Sequence, residues 1–285
     1  MKIAVASGKG GTGKTFVSTN LFFVAQNIGY KTCLVDCDAE EPNVLGFLKG
    51  KENYKIPAIQ KIPVIDTNKC TYCGKCSKYC EYNAIFFLPI IKNIQVIPEL
   101  CHDCGACIYA CKFNAITETD LEIGEITSIK YSENAEIIES KMKIGNERSG
   151  EIIKFAQKQV PENAELVIFD SPPGTSCPFI ATVENADVVL MVAEPTPFGL
   201  NDLKLSVEVL KQINKPIYAI INKHGMGNDD VEKFLNSENI EIVAKIPFDI
   251  EIAKTYSEGK ILSQENSKYA NLFEQVLNNL KMKII

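Results

Sequence analysis

Residues Gly8, Lys9, Gly10, Gly11, Thr12, Gly13, Lys14 and Thr15 constrain this chain more than any other stretch. They fit G-x-x-x-x-G-K-[ST] in the context that motif needs, after a short apolar strand candidate, Lys2–Ser7, and at the start of a helically spaced run, Lys14–Ile28. Gly29 is the expected C-cap, and Lys31–Asp36 reads as a second strand, which completes a βαβ unit. Glycines let backbone fold closely around phosphate with N–H groups pointing inward, and the helix N-terminus adds a field that favours anions. Lys14 is therefore expected to reach β- and γ-phosphates, and Thr15 to offer its hydroxyl to Mg²⁺.

The strand and helix alternation then stops. Eight of the eleven cysteines fall in two near-copies of one pattern, offset by 31 residues, as an internal duplication produces. Cys70, Cys73, Cys76 and Cys80 are spaced C-x₂-C-x₂-C-x₃-C, and Cys101, Cys104, Cys107 and Cys111 repeat that spacing. This resembles the two-cluster bacterial ferredoxins, in which the fourth cysteine of each run ligates the other cluster. The resemblance implies one 4Fe–4S cluster on Cys70, Cys73, Cys76 and Cys111, and a second on Cys101, Cys104, Cys107 and Cys80. Zinc is the rival occupant, but zinc sites usually consist of two separated C-x₂-C pairs. One departure from the ferredoxin pattern is that Glu81 and Lys112 stand where proline usually follows the fourth cysteine.

From Gly150 the α/β signals return. A helix is expected near Gly150–Gln159, buried parallel strands at Leu166–Phe169, Val188–Ala193 and Ile217–Ile221, and helices at Asn201–Ile213, Asp229–Asn236 and Lys268–Leu280. The expected fold class is α/β: a mostly parallel P-loop NTPase sheet with helices on both faces, interrupted by a small α+β two-cluster ferredoxin-like domain. The boundaries read as 1–60 and 120–285 for the ATPase domain and 61–119 for the insert. Apolar residues, 46% of the chain, suffice for a core of this size, and a net charge of −6 argues against an electrostatic nucleic-acid binder. No apolar run is long enough to span a bilayer, and because Met1 leads almost directly into a strand candidate no signal peptide is expected. With this cysteine usage, a cytoplasmic location and no nucleic-acid or membrane partner are expected.

Lys9 narrows the family. The run Lys9–Thr15 resembles the deviant Walker A loop of the MinD/ParA ATPases, to which the nitrogenase iron protein also belongs. In that family the extra lysine crosses a dimer interface to the partner's nucleotide, so the resemblance implies an ATP-dependent homodimer. It also implies Asp38, after the second strand, as the water-activating switch I carboxylate, Asp170 as the Walker B carboxylate near Mg²⁺, and Gly174 of the loop Ser171–Thr175 as a γ-phosphate sensor. Asn222, Pro247 and Asp249 take the adenine-contacting positions. The order Asn222, Lys223, His224, Gly225 lacks the aspartate of an N-K-x-D guanine reader, which favours adenine.

With the cysteine insert, the chain resembles MinD-superfamily P-loop ATPases containing an inserted ferredoxin domain. Glu194–Gly199 and Tyr256–Gly259 also look like family loops. The resemblance implies hydrolysis of ATP to ADP and phosphate with Lys9, Lys14 and Asp38 as catalytic residues. It further implies nucleotide-linked electron transfer or metallocofactor assembly on a partner protein. Two alternatives are an electron carrier with a nucleotide-controlled docking site and a MinD-like positioning ATPase with redox-sensing clusters. Cys33 and Cys37 flank a buried strand and read as packing residues, while Cys177 lies close to Gly174 and is left open as a thiol of possible function. His102 and His224 read as loop residues, and Leu272, Phe273, Val276, Leu277 and Leu280 form a stripe expected to pack on the sheet.

Overall fold

The computed structural model describes residues 1–145 and 148–284. The elements run β1 (Lys2–Ala6), α1 (Lys14–Asn27), β2 (Thr32–Asp36), β3 (Lys51–Ile65), α2 (Lys75–Lys78), β4 (Ile85–Leu88), β5 (Asn93–Val96) and α3 (Ala106–Ala110). They continue with β6 (Ile116–Ser132), β7 (Ala135–Met142), α4 (Ser149–Gln157), β8 (Leu166–Asp170), α5 (Cys177–Glu184), β9 (Val188–Ala193) and α6 (Pro197–Gln212). The last are β10 (Ile217–His224), α7 (Asp230–Ser237), β11 (Glu241–Pro247), α8 (Ile250–Ser257), α9 (Leu262–Glu265) and α10 (Ser267–Ile284).

Among the described residues nine strands form one sheet, ordered β11-β10-β9-β1-β8-β2-β7-β6-β3. Pairing is parallel from β11 through β7 and antiparallel for β7–β6 and β6–β3. Strands β2, β8 and β9 are buried along their whole length, as continuous apolar runs in the middle of a doubly covered sheet must be. One face packs Phe16, Val17 and Leu21 of α1 with Phe273, Val276, Leu277 and Leu280 of α10, so the C-terminal stripe lies on the sheet. The other packs Ile152 and Ile153 of α4, Phe179 of α5, Leu203 and Val207 of α6 and Val231 of α7. Cys33 and Cys37 are fully buried on this second side. Gly29, at φ 98°, ends α1 with bonds from the Gly29 N–H to Gln26 and the Tyr30 N–H to Ala25.

The sequence reading did not include β3 or the ladder it makes with β6. The two strands pair from Lys51↔Lys130 to Ile65↔Ile116, a long ribbon that leaves the sheet and carries the cysteine runs at its far end. The expected boundaries at 61 and 119 fall on this ladder, where Lys61 faces Asp120 and Ile62 faces Thr119. Pro57 and Pro63 obscured β3 because proline cannot donate to a ladder, and β3 tolerates them as the edge strand.

At the ribbon's end the duplication is written into the backbone. Left-handed residues Tyr72, Gly74 and Asn83 have counterparts at Asp103, Gly105 and Asn114, each 31 residues on. The same offset relates the starts of α2 and α3. Strands β4 and β5 form a separate hairpin. The buried apolar cluster here is small: Cys76, Ile85, Ile94 and Ile116.

Candidate functional site

The parallel strands all end on one edge of the sheet, and the loops there converge, which is where open α/β sheets bind ligands. The loop after β1 carries Gly8–Thr15. Asp36 and Asp170 are Cα partners at the ends of β2 and β8, and Asn222 lies near the end of β10.

Lys14 is buried, with its Nζ 3.4 Å from the Lys9 carbonyl oxygen. Burial lowers its affinity for a proton, and the neighbouring Asp170 and Asp38 carboxylates work against that. Asp170 is pushed up to about 6 by burial, against hydrogen bonds from Thr15 and Ser18, the latter at 2.9 Å. Burial also raises Asp38, while the Glu41 N–H and Lys14 favour its charged form. Asp36 was not singled out from the sequence. It is fully buried and accepts the N–H groups of Asp38, Asn43 and Val44 at 3.1, 2.9 and 3.0 Å. Burial and the adjacent Asp170 hold it well above the usual carboxylate range even so.

The P-loop is held from β10. Asn222 donates from Nδ2 to the Thr12 carbonyl at 2.7 Å, and its Oδ1 accepts the Lys223 N–H at 2.9 Å. Gly13 sits at φ 99°, and a Cβ there would lie 2.3 Å from Asn222 Nδ2, so both conformation and space demand glycine. Thr12 is 2% exposed and its Oγ1 has no hydrogen-bond partner, an orphaned buried hydroxyl inside the loop that fits a missing polar ligand.

Lys9 does not extend away from the loop. Its Nζ pairs with Glu194, whose other oxygen takes Lys223 Nζ at 3.0 Å, and Lys223 also donates to the Gly11 carbonyl at 3.1 Å. Burial would raise the Glu194 carboxyl, but the two lysines hold it below its ordinary value. Glu194 was visible in the sequence only as part of a loop. Gly174 has φ 90° in the loop after β8, and Cys177 is exposed at the start of α5.

Beside the loop is a cavity lined by Gly11, Gly13, Asn222, Pro247 and Asp249, joined by Phe16 and Tyr256. The three expected base-contact residues thus come together here. Asp249 also caps α8, accepting the Glu251 N–H at 2.8 Å. Phe16 and Tyr256 meet edge-on at 5.9 Å and Tyr256 stacks on Phe47, an aromatic wall suited to a planar base that helical spacing alone did not reveal.

The cysteines form two sets at the end of the ribbon. Cys70, Cys73, Cys76 and Cys111 line one cavity, backed by Ile65, Ile94 and Ile116. Cys80, Cys101, Cys104 and Cys107 line another, with Ile85 and Ile108. Each set takes three cysteines from one run and the fourth from the other, and four thiolates are what a 4Fe–4S cube requires. Backbone N–H groups already point at sulfur, Tyr72 to Cys70 at 3.4 Å and Ala84 to Cys80 at 3.2 Å. Burial raises the thiols of Cys76 and Cys101 and pushes Cys107 up to about 11, whereas a backbone N–H at Lys75 lowers Cys73. Among the described residues no three His, Cys, Asp or Glu side chains converge as one metal ion demands. Tetrahedral zinc needs four sulfurs about 2.3 Å from a single centre. A 4Fe–4S cube spreads its four thiolates over separate irons. His102 stacks on Tyr82, and His224 pairs with Glu232 at 3.1 Å.

A sequence profile described as the CobQ/CobB/MinD/ParA nucleotide binding domain matches residues 3–262. The chain belongs to this family. Consistent with that, the chain superimposes on the septum site-determining protein MinD of Pyrococcus horikoshii, a complex with Mg-ADP. The TM-score is 0.59 at 20% identity, covering 98% of this chain and 95% of that one. The cell division ATPase MinD of Pyrococcus furiosus gives the same score at 18% identity, covering 99% and 98%. These likenesses show the fold. Among relatives in sequence, an uncharacterized protein of Methanocaldococcus jannaschii is 34% identical over 98% of this chain and 97% of its own length. An iron-sulfur cluster carrier protein of Aquifex aeolicus is 25% identical over 99% of this chain and 67% of its own. The matched profile is that of a nucleotide-binding domain, and it spans the loop Gly8–Thr15. Among the described residues no helix is long and apolar enough to cross a membrane.

Proposed function

We propose that the chain is a Mg·ATP-hydrolysing iron–sulfur protein that couples its nucleotide state to electron transfer, or to iron–sulfur or metallocofactor assembly, on a partner protein. The observation that carries this is the grouping of eight cysteines into two mixed sets of four on a ribbon rooted in the nucleotide-binding sheet. Gly8–Thr15 grip the phosphates, with Lys14 on the β- and γ-oxygens. Thr15 and Asp170 hold Mg²⁺, and Asp38 orients the attacking water. Gly174 reads the γ-phosphate. The adenine lies in the cavity of Asn222, Pro247 and Asp249. When ATP is bound, two copies associate and Lys9 leaves Glu194 to reach the partner's nucleotide. In residues 61–119, a ferredoxin-like insert, Cys70, Cys73, Cys76 and Cys111 hold one 4Fe–4S cluster and Cys101, Cys104, Cys107 and Cys80 the other. When bound, each cluster supplies one-electron redox chemistry. The small apolar core of this segment supports the reading, because so little burial leaves its fold dependent on metal–thiolate bonds. Relatives named iron-sulfur cluster carrier proteins support it too.

The test is anaerobic purification with iron and sulfide analysis, followed by ATPase and sedimentation measurements. Expected are about eight irons per chain, ATP-dependent dimers, and loss of hydrolysis in Lys14→Ala. Zinc or no iron at the cysteines sinks the redox half, and failure to retain Mg·ATP sinks the other. Incubation with a metal-free acceptor protein separates the two outputs, since assembly moves iron off the chain and electron transfer leaves it in place.

A further inference from the structure

The loop that opens the second cysteine run is tied back to the nucleotide-binding sheet. Gln60 of β3, 2% exposed, donates from Nε2 to the Cys101 carbonyl at 2.7 Å. Its Oε1 accepts from Nη1 of Arg148. Next to it the Lys61 N–H donates to Asp103 Oδ2 at 3.0 Å. Gln60 therefore uses both ends of its amide, one on the cysteine loop and one on Arg148.

Arg148 is the only arginine of the chain, every other cation of its 30 basic residues being lysine. It immediately precedes α4. Helix α4 is locked to α5 at its far end, where Gln157 Nε2 donates to the carbonyls of Ala181 and Thr182 at 3.2 and 3.1 Å and Oε1 accepts from Asn185 at 2.6 Å. Helix α5 begins at Cys177, directly after the loop of Ser171 and Gly174 that follows the Asp170 strand. A contiguous set of packed and hydrogen-bonded elements thus runs from the phosphate end of β8 through α5 and α4 to Arg148, Gln60 and Cys101. A planar guanidinium holds a direction as well as a charge, which lysine at this point cannot do.

We propose that Arg148 is a positioning residue that, through Gln60, passes the state of the loop after β8 to the cavity of Cys80, Cys101, Cys104 and Cys107. None of these hydrogen bonds reaches the cavity of Cys70, Cys73, Cys76 and Cys111. Nucleotide then tunes one cluster of the pair. The proposal rests on the reading that the loop after β8 senses nucleotide and that the cysteines hold clusters.

Spatial continuity is not coupling, so the test measures coupling directly. Amide hydrogen exchange is followed on the anaerobically purified chain with Mg·ADP and with Mg and a non-hydrolysable ATP analogue, for wild type, Arg148→Gln and Arg148→Lys. In wild type the amides of residues 101–108 change exchange rate by at least about fivefold between nucleotides, the lower end of ordinary coupling factors. Those of residues 70–79 do not. Both variants lose the difference while binding nucleotide as before. On iron-loaded protein, one of the two cluster signals in a redox titration shifts with nucleotide, and neither does in Arg148→Gln. A tenfold change in its reduced-to-oxidised ratio corresponds to about 59 mV. A wild type that binds both nucleotides without any difference at 101–108, or a difference that survives in both variants, overturns the proposal. If the exchange result holds in protein that takes up no iron, the relay stands and the cluster reading falls.

Discussion

Replacing Gly13 by alanine tests how the P-loop is braced. The residue sits at φ 99° and ψ 29°, where an L side chain costs about 1–2 kcal/mol. The new methyl would lie 2.3 Å from Asn222 Nδ2 and displace that side chain. The displaced amide abandons the Thr12 carbonyl, now bonded at 2.7 Å, and leaving such a buried acceptor unpaired costs about 1–3 kcal/mol. Gly13→Ala should therefore destabilise by about 2–5 kcal/mol, and Asn222→Ala, which loses only the hydrogen bond, by about 1–3 kcal/mol. In the double variant the methyl meets empty space and the bond is lost once, not twice. The two changes should fall short of additivity by about 1–3 kcal/mol, the worth of that one bond. Urea unfolding of the four proteins measures the cycle, and nucleotide affinity of each should follow the same order. Additivity within about 0.5 kcal/mol, the scatter expected of independent sites, would refute the claim that Asn222 and Gly13 share one constraint.

Other expectations follow from the same geometry. Burial holds Asp170 near 6 and so favours its protonated form. Mg·ADP binding at pH 6 should therefore release about half a proton, and near pH 8 almost none. Calorimetry in buffers of different ionisation enthalpy reads this, and equal release at both pH values counts against the assignment. The sign for stability is that a raised carboxyl loses stability as pH rises from about 3.8 to about 6, so Asp170→Asn should flatten unfolding curves in that window. Cys111→Ser should weaken the cluster of the first cysteine run and Cys80→Ser that of the second, each seen as loss of one of two paramagnetic signals. Loss of the signal belonging to the residue's own run would overturn the crossed grouping. Iron chelation should speed amide exchange across residues 66–115 and leave β1, β8 and β9 protected, because only the former lacks a sizeable apolar core.

The phosphate loop was legible because its chemistry is local. Gly8–Thr15 must be contiguous to wrap a phosphate, and apolar runs such as Val188–Ala193 announce strands covered on both faces. The two cysteine runs were legible for the same reason, through spacing repeated at an offset of 31 residues. Tertiary structure alone decided what depends on residues far apart in the chain. The ribbon of β3 and β6 pairs segments whose own sequences argue weakly for strands, with Pro57 and Pro63 in one of them. Glu194, after β9, meets Lys9 of the phosphate loop and Lys223 of β10. Gln60 and Arg148 carry no motif at all, and their meeting follows from packing α4 beside a bulged ribbon, since a hydrogen bond between distant residues leaves no period or spacing in the sequence.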